Sequence, residues 1–205
     1  MNRVFLLSPA RCDGKRAQVL LNESATFALA ERLRSSTGAP LGDVFAFLSG
    51  LYFRGKLAYA ARFGRLPGSG DSSLVITTDR GLVPPSELVR RDDLVAFGQV
   101  DIAIGDDRYS APLRRDVAAL AARVPGDVEV VLLGSIATGK YVDILVETFG
   151  QRLVFPSDFV GRGDMSRGGL LLRHVDSGEQ LSYTPVATAV RRGKRPPKLA
   201  PIRKR

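Results

Sequence analysis

Short apolar runs alternate with helix-patterned stretches along this chain, and that alternation limits its fold more than any other feature. Residues 4–7 (Val-Phe-Leu-Leu), 74–78 and 128–133 are runs of strand length, the last broken only by Glu129. Residues 100–104 are a possible third strand in chain order, and 153–155 and 170–173 are possible later ones. Between them, 23–35 reads as a helix. Asn22 or Ser24 can cap it, Leu29 and Leu33 share a face, and Gly38 with Pro40 closes it. Residues 41–49 and 52–63 read as two more helical pieces, weakened by Gly50 and Gly55. The clearest helix is 111–124. Ser110 caps it, Pro112 stands in its first turn, and Leu113, Val117, Leu120 and Val124 recur on one face. Residues 141–149 form a further helix, stopped by Gly150, and 66–70 reads as a flexible connection. Such alternation predicts an α/β domain with a largely parallel central sheet flanked by helices. Ligands of such sheets bind beyond the carboxyl ends of the strands. The loops after Leu7, Thr78, Ile104 and Leu133 are therefore where a site is expected.

Charge divides the chain in two. It has 30 Lys and Arg against 21 Asp and Glu, a formal charge of +9. Eight of the cations and no acid lie in residues 191–205, which leaves 22 basic and 21 acidic residues in the body. A uniformly basic, histone-like protein is excluded. One domain over 1–186 and a basic, Pro-containing tail over 187–205 are expected, the tail disordered. Contact of this tail with nucleic acid would add salt-sensitive affinity through Arg191, Arg192, Lys194 and Arg195. A solubilising tail, or one that docks on an acidic protein, fits the same composition. No apolar run has the length of a membrane span, and the amino terminus lacks a secretory pattern, so no membrane association and a cytoplasmic location are expected. One cysteine and one histidine leave no His/Cys zinc site. No metal and no cofactor is expected.

Several loops carry residues suited to phosphates. Residues 8–16 place Arg11, Lys15 and Arg16 next to the first strand, with Ser8 at its end. These cations would favour a Cys12 thiolate, although a packed thiol is the simpler reading. Residues 134–140, Gly-Ser-Ile-Ala-Thr-Gly-Lys, nearly match the P-loop pattern, but Tyr141 stands where that pattern needs Ser or Thr. Gly134 and Lys140 can still contact an anion there, or the segment is a plain strand–helix turn. Asp79, at a strand end, can act as a general base or orient a ligand; a pair with Arg80 or a cap serves equally. Asp106 and Asp107 can bind a metal, but favouring a helix amino terminus is the preferred reading. Residues 161–169 hold four glycines with Arg162 and Arg167, forks suited to phosphates or a guanine edge, in what reads as a loop. Asp164 within it is a second candidate acid/base group. The Arg162-Gly163-Asp164 tripeptide matches an integrin motif too short to inform. His174 falls on the strand expected next and reads as packed.

Residues 4–11, Val-Phe-Leu-Leu-Ser-Pro-Ala-Arg, resemble the opening of the YaaA peroxide-stress family, where a strand leads into Ser-Pro-Ala-Lys. Leu51-Tyr52-Phe53-Arg54, the 78–84 segment Thr-Asp-Arg-Gly-Leu-Val-Pro, Tyr109 with Leu113, and Leu133-Gly134 with Tyr141 are similar in spacing to related bacterial domains. The uracil-DNA-glycosylase-like domain of archaeosine synthases has a similar order. The resemblance spans about residues 3–155, and Arg11 replaces the family lysine. It implies an α/β body that binds or acts on nucleic acid. The expectation is thus a DNA- or RNA-binding protein, acting on a base or nucleotide in repair, stress response or modification. Arg54 joins the expected phosphate-gripping residues. A small-molecule enzyme for a nucleotide or phosphorylated substrate, and a noncatalytic protein docking through its tail, are the alternatives.

Overall fold

The computed structural model describes residues 2–66, 70–197 and 199. Its centre is a six-stranded sheet in the order β4-β3-β1-β6-β7-β8. The strands are β1 (Arg3–Leu7), β3 (Ser73–Ile76), β4 (Leu82–Val83), β6 (Glu129–Leu133), β7 (Leu153–Pro156) and β8 (Tyr183–Pro185). β1 pairs in parallel with β3 and β6, and β6 with β7. β4 and β8 pair antiparallel at the two edges. A separate two-stranded ribbon joins β2 (Ala39–Pro40) to β5 (Leu88–Val89). The α/β class and the largely parallel sheet thus agree with the alternation of the sequence. The central strands β1 and β6 are apolar because both faces are covered: Val4 to Leu7 and Val130 to Leu133 are fully buried.

The chain first steps from β1 to β3, then crosses back past β1 to β6. Right-handed crossovers in opposite directions put their helices on opposite faces. α4 (Leu51–Phe63) belongs to the first crossover and packs along α8 (Asp164–Ser177), which follows β7. α6 (Asp107–Arg123) and α7 (Lys140–Phe149) pack against each other. α1 (Lys15–Leu21), α2 (Ala28–Arg34) and α3 (Leu41–Ser49) fill the span before α4, and α5 (Arg91–Gly98) precedes α6.

Several local expectations are corrected. The helix expected over 23–35 is shorter, α2 covering only Ala28–Arg34, and Asn22 ends α1 instead of opening a helix. Residues 100–104 form no strand. Ala103 N–H donates to Asp101 O and Asp106 N–H to Ala103 O, so the segment turns outside the sheet with no strand to pair with. Helix α6 starts at Asp107, earlier than expected. Asp106, not Ser110, caps it, accepting from Arg108 N–H at 3.0 Å, while Ser110 is buried in the first turns. The largest correction is α8. Residues 164–177 are one helix, so the expected glycine-rich loop ends at Gly163, residues 170–173 are not a strand, and His174 is helical. Glycine's poor helix propensity is overruled by packing. A Cβ on Gly168 would lie 2.7 Å from Leu51 O, and one on Gly55 2.9 Å from Gly168 O. The two glycines let α4 and α8 touch backbone to backbone.

Of the expected 66–70 connection, residues 67–69 lie outside the described residues, as do Lys198 and residues 200–205 of the tail. The described tail residues run past the amino ends of α7 and α8. Arg191 pairs with Asp143 at 3.3 Å, Pro197 O accepts from Arg162 Nη1 at 3.4 Å, and Gly161, at φ 72°, packs under the Lys194 carbonyl. No helix among the described residues is long and apolar enough to cross a membrane.

Candidate functional site

The sheet reverses its winding direction between β1 and β6, and the crevice beyond that point is the expected ligand position in an open α/β sheet. A cleft of about 410 Å³ lies there. Its floor is Ser8, Pro9, Ala10 and Arg11 from the loop after β1, with Ser135 from the loop after β6. Its walls are Tyr52 and Lys56 of α4, Tyr141 of α7, and Asp164 and Arg167 of α8. Two further concavities adjoin it. One shares Ser135 and Arg167 and adds Gly134, Arg162, Arg191 and Arg192; the other shares Arg11 and adds Cys12 and Lys140.

Lys56 is the most unusual group in the cleft. It is only 1% exposed. Its Nζ donates to Ser8 O at 2.7 Å and to Ser8 Oγ at 2.9 Å, and it lies 4.4 Å from the Tyr52 ring centre and 4.7 Å from that of Phe53. Among the described residues no carboxylate comes within ion-pairing distance of it. Burial therefore dominates and pushes the amine down to about 7; the Asp164 carboxylate opposes this and the Arg167 guanidinium adds to it. Ser8 is held at its own N–H by Leu133 O, 3.2 Å away, so the loop after β1 is anchored to β6. Across the cleft, Arg167 donates to Phe159 O through Nε and Nη2 (3.2 and 3.1 Å), leaving Nη1 toward Asp164 at 3.5 Å. The Tyr52 hydroxyl is buried without a hydrogen-bond partner, and burial pushes it above the usual phenol range. The Tyr141 hydroxyl donates to Ser135 O at 2.9 Å; burial raises it as well. Gly134 is needed beside this pair, since a Cβ there would lie 2.8 Å from Ser8 Cβ and 3.0 Å from Tyr141 Oη.

The sequence candidates fall in different places. Ser8, Arg11, Asp164 and Arg167 share the cleft, and Gly134, Lys140, Arg162, Arg191 and Arg192 line its two neighbours. Lys15, Arg54 and Lys194 are exposed and line none of the three concavities. Arg195 lines a separate groove along α8. Arg16 instead donates to Phe47 O and Leu48 O at the carboxyl end of α3 (3.3 and 3.4 Å), where the helix dipole favours a cation. Asp79 is not brought to Asp164. It sits by Arg80, 3.8 Å away, and burial raises its carboxyl while Arg80 pulls it down; Arg80 itself is committed to Asp93. Cys12 is buried, in keeping with the simpler reading of a packed thiol. Burial first, then Asp13 and Asp79, push that thiol up to about 12, and Arg11 turns to Asp13 at 2.7 Å. The near-P-loop segment joins β6 to α7. Lys140 is exposed, Tyr141 folds back on Ser135, and Asp143 stands at the amino end of α7. Asp106 caps α6 and pairs with Arg108 at 2.6 Å, and no group of three metal-ligating side chains occurs among the described residues. His174 Nδ1 lies 2.9 Å from Glu179 O at the far end of α8.

Sequence reasoning missed Lys56, Tyr52 and Tyr141 as site residues. The sequence holds a partial signal for Lys56, which the packing of α8 over α4 completes. Positions 52, 53, 56, 59, 60 and 63 form one helical face, apolar except at 56.

No family model, no curated protein and no solved structure matches this chain.

Proposed function

We propose that this protein binds nucleic acid and seats one nucleotide of the strand in the cleft between β1 and β6. One observation carries the reading. Six cations (Arg11, Lys140, Arg162, Arg167, Arg191 and Arg192) line three adjoining concavities along a single edge of the sheet. The cleft is large enough for one nucleotide, while the flanking cations can follow the strand on either side. Three of them rest on solvent-exposed carboxylates (Arg11 on Asp13, Arg167 on Asp164, Arg191 on Asp143), pairs weak enough to yield to phosphate. The likeness of residues 4–11 to the YaaA family, and of residues 78–84 to related bacterial domains, supports a role in repair, stress response or nucleic-acid modification. Cytoplasmic location belongs to the same proposal.

The second reading is an enzyme for a free nucleotide or another phosphorylated small molecule. It is favoured by the buried Lys56 amine in the cleft wall, which a binding surface alone does not require. Fluorescence anisotropy with labelled single-stranded and duplex DNA and RNA, titrated against salt, tests the first reading. Arg167→Ala is expected to weaken binding about 10-fold or more, since it removes charge-assisted hydrogen bonds to phosphate. A mononucleotide that raises the melting temperature while no oligonucleotide binds would replace the first reading with the second.

A further inference from the structure

We propose that Ser8 and Lys56 form a serine–lysine dyad in which Ser8 Oγ is the nucleophile toward a phosphate ester held in the β1–β6 cleft. The substrate class rests on the phosphate-binding reading above; the dyad rests on its own geometry. Ser8 is the first residue past the carboxyl end of β1, fixed by Leu133 O at its N–H, and its side chain lines the cleft. Lys56 Nζ reaches it at 2.9 Å, a distance suited to proton transfer, while its contact with Ser8 O at 2.7 Å fixes where the amine points. Burial disfavours an ammonium ion at that amine and Arg167 adds to this, against the weaker pull of Asp164 and of the aromatic faces. Tyr52 and Phe53 cover it from its own helix, Ser8 from the end of β1, and Tyr141 from α7; Asp164 and Arg167 of α8 oppose each other beyond ion-pairing range. A neutral amine there donates one N–H to Ser8 O and presents its lone pair to the Ser8 Oγ hydrogen. This is the arrangement a serine needs from its base.

The step balances without any reagent beyond water. Ser8 Oγ attacks phosphorus as the bond from phosphorus to the leaving oxygen breaks, and the Oγ proton moves to Lys56 Nζ. The resulting ammonium gives that proton to the leaving oxygen. Water then attacks the phosphoserine and passes a proton to Nζ; the P–Oγ bond breaks and the proton returns to Ser8 Oγ. Arg167, with Nη1 turned into the cleft, and Arg11 at the floor are placed to neutralise the non-bridging oxygens. The Tyr141 hydroxyl beside Ser8, kept protonated by burial, commits its proton to Ser135 O and so fixes the loop that closes the cleft next to the nucleophile.

Diisopropyl fluorophosphate, an uncharged reagent that phosphorylates activated serines and expels fluoride, tests the dyad on the full chain. Peptide mass spectrometry is expected to find the adduct on Ser8. Its rate should rise with pH with a midpoint near 7. Lys56→Met should slow it about 100-fold or more, and Ser8→Ala should abolish it. Urea unfolding verifies that each variant is folded; if Lys56→Met is not, Lys56→Gln and the wild-type pH profile take its place. No adduct on Ser8, or a profile flat between pH 6 and pH 8, overturns the dyad. Turnover of a chromogenic nitrophenyl ester of thymidine 5′-phosphate, lost in both variants, supports the phosphate-ester assignment, and its absence in the wild type overturns that assignment. Because the fluorophosphate carries no charge, labelling without oligonucleotide binding removes the nucleic-acid reading and leaves the dyad. Oligonucleotide binding by a protein that is never labelled does the reverse.

Discussion

Lys56 sets the pH behaviour of the folded state as well as the chemistry of the cleft. Its amine is held at about 7 in the fold against 10.5 as the ordinary value. Between those values the unfolded chain binds more protons than the folded one, so stability rises with pH. From pH 7 to pH 8.5 the rise attributable to Lys56 is about 1–2 kcal/mol. Unfolding free energies from urea titrations should show it, and Lys56→Met should remove it. The window stops short of 9.0, because Cys12 then opposes the trend: its thiol is raised in the fold, and the unfolded chain loses that proton first. A wild-type protein whose stability is flat across this window would mean that the amine is charged in the fold. At this scale the sequence was only partly legible. Ser8, Arg11, Asp164 and Arg167 were visible as polar residues next to strand ends or glycines. Lys56 was hidden, because a lysine at one position of an apolar face reads as solvated until the packing of α8 over α4 is known.

That packing is where local sequence and tertiary structure disagree most. Gly163, Gly168 and Gly169, with Arg162 and Arg167, have the composition of a loop, yet α8 runs from Asp164 through all but the first of the glycines. The misreading has a physical cause: small residues that break isolated helices also allow two helices to approach closely. Gly168→Ala tests this. The new methyl would lie 2.7 Å from Leu51 O and 2.8 Å from Tyr52 Cα, both backbone atoms that cannot rotate away. A loss of about 1–3 kcal/mol is expected in urea unfolding, together with weaker oligonucleotide binding as Tyr52 and Arg167 move apart. Gly169→Ala is the control, since its Cβ meets only the flexible end of Leu199 at 3.5 Å. Other elements were illegible for different reasons. α5 owes its start to Asp93 Oδ2 accepting from Arg90 N–H at 2.7 Å, a side-chain contact in a segment with little apolar periodicity. β2 and β5 are two residues each, too short to leave a pattern. β1, β3 and β6 were legible because burial on both faces demands continuous apolar runs.

For the whole molecule the question is how a body of almost no net charge can hold a polyanion. Two sources of positive potential are available: the cations gathered at one edge of the sheet, and the eight of residues 191–205. They are not independent, since Arg191 and Arg192 belong to both and the tail passes the amino ends of α7 and α8. Deleting residues 191–205 separates them. The Arg191–Asp143 pair is exposed on both sides and contributes about 0–1 kcal/mol, so the truncated body should fold with a melting temperature close to that of the full chain. Its affinity for duplex DNA should become less sensitive to salt. If about five phosphates are contacted by the tail, the slope of log K against log salt becomes shallower by roughly 4–5. The cleft-edge cations should supply the slope that remains, and Arg167→Ala in the truncated chain should reduce it by about one further contact. A slope unchanged by truncation assigns all phosphate contacts to the sheet edge, and a slope abolished by it assigns them all to the tail.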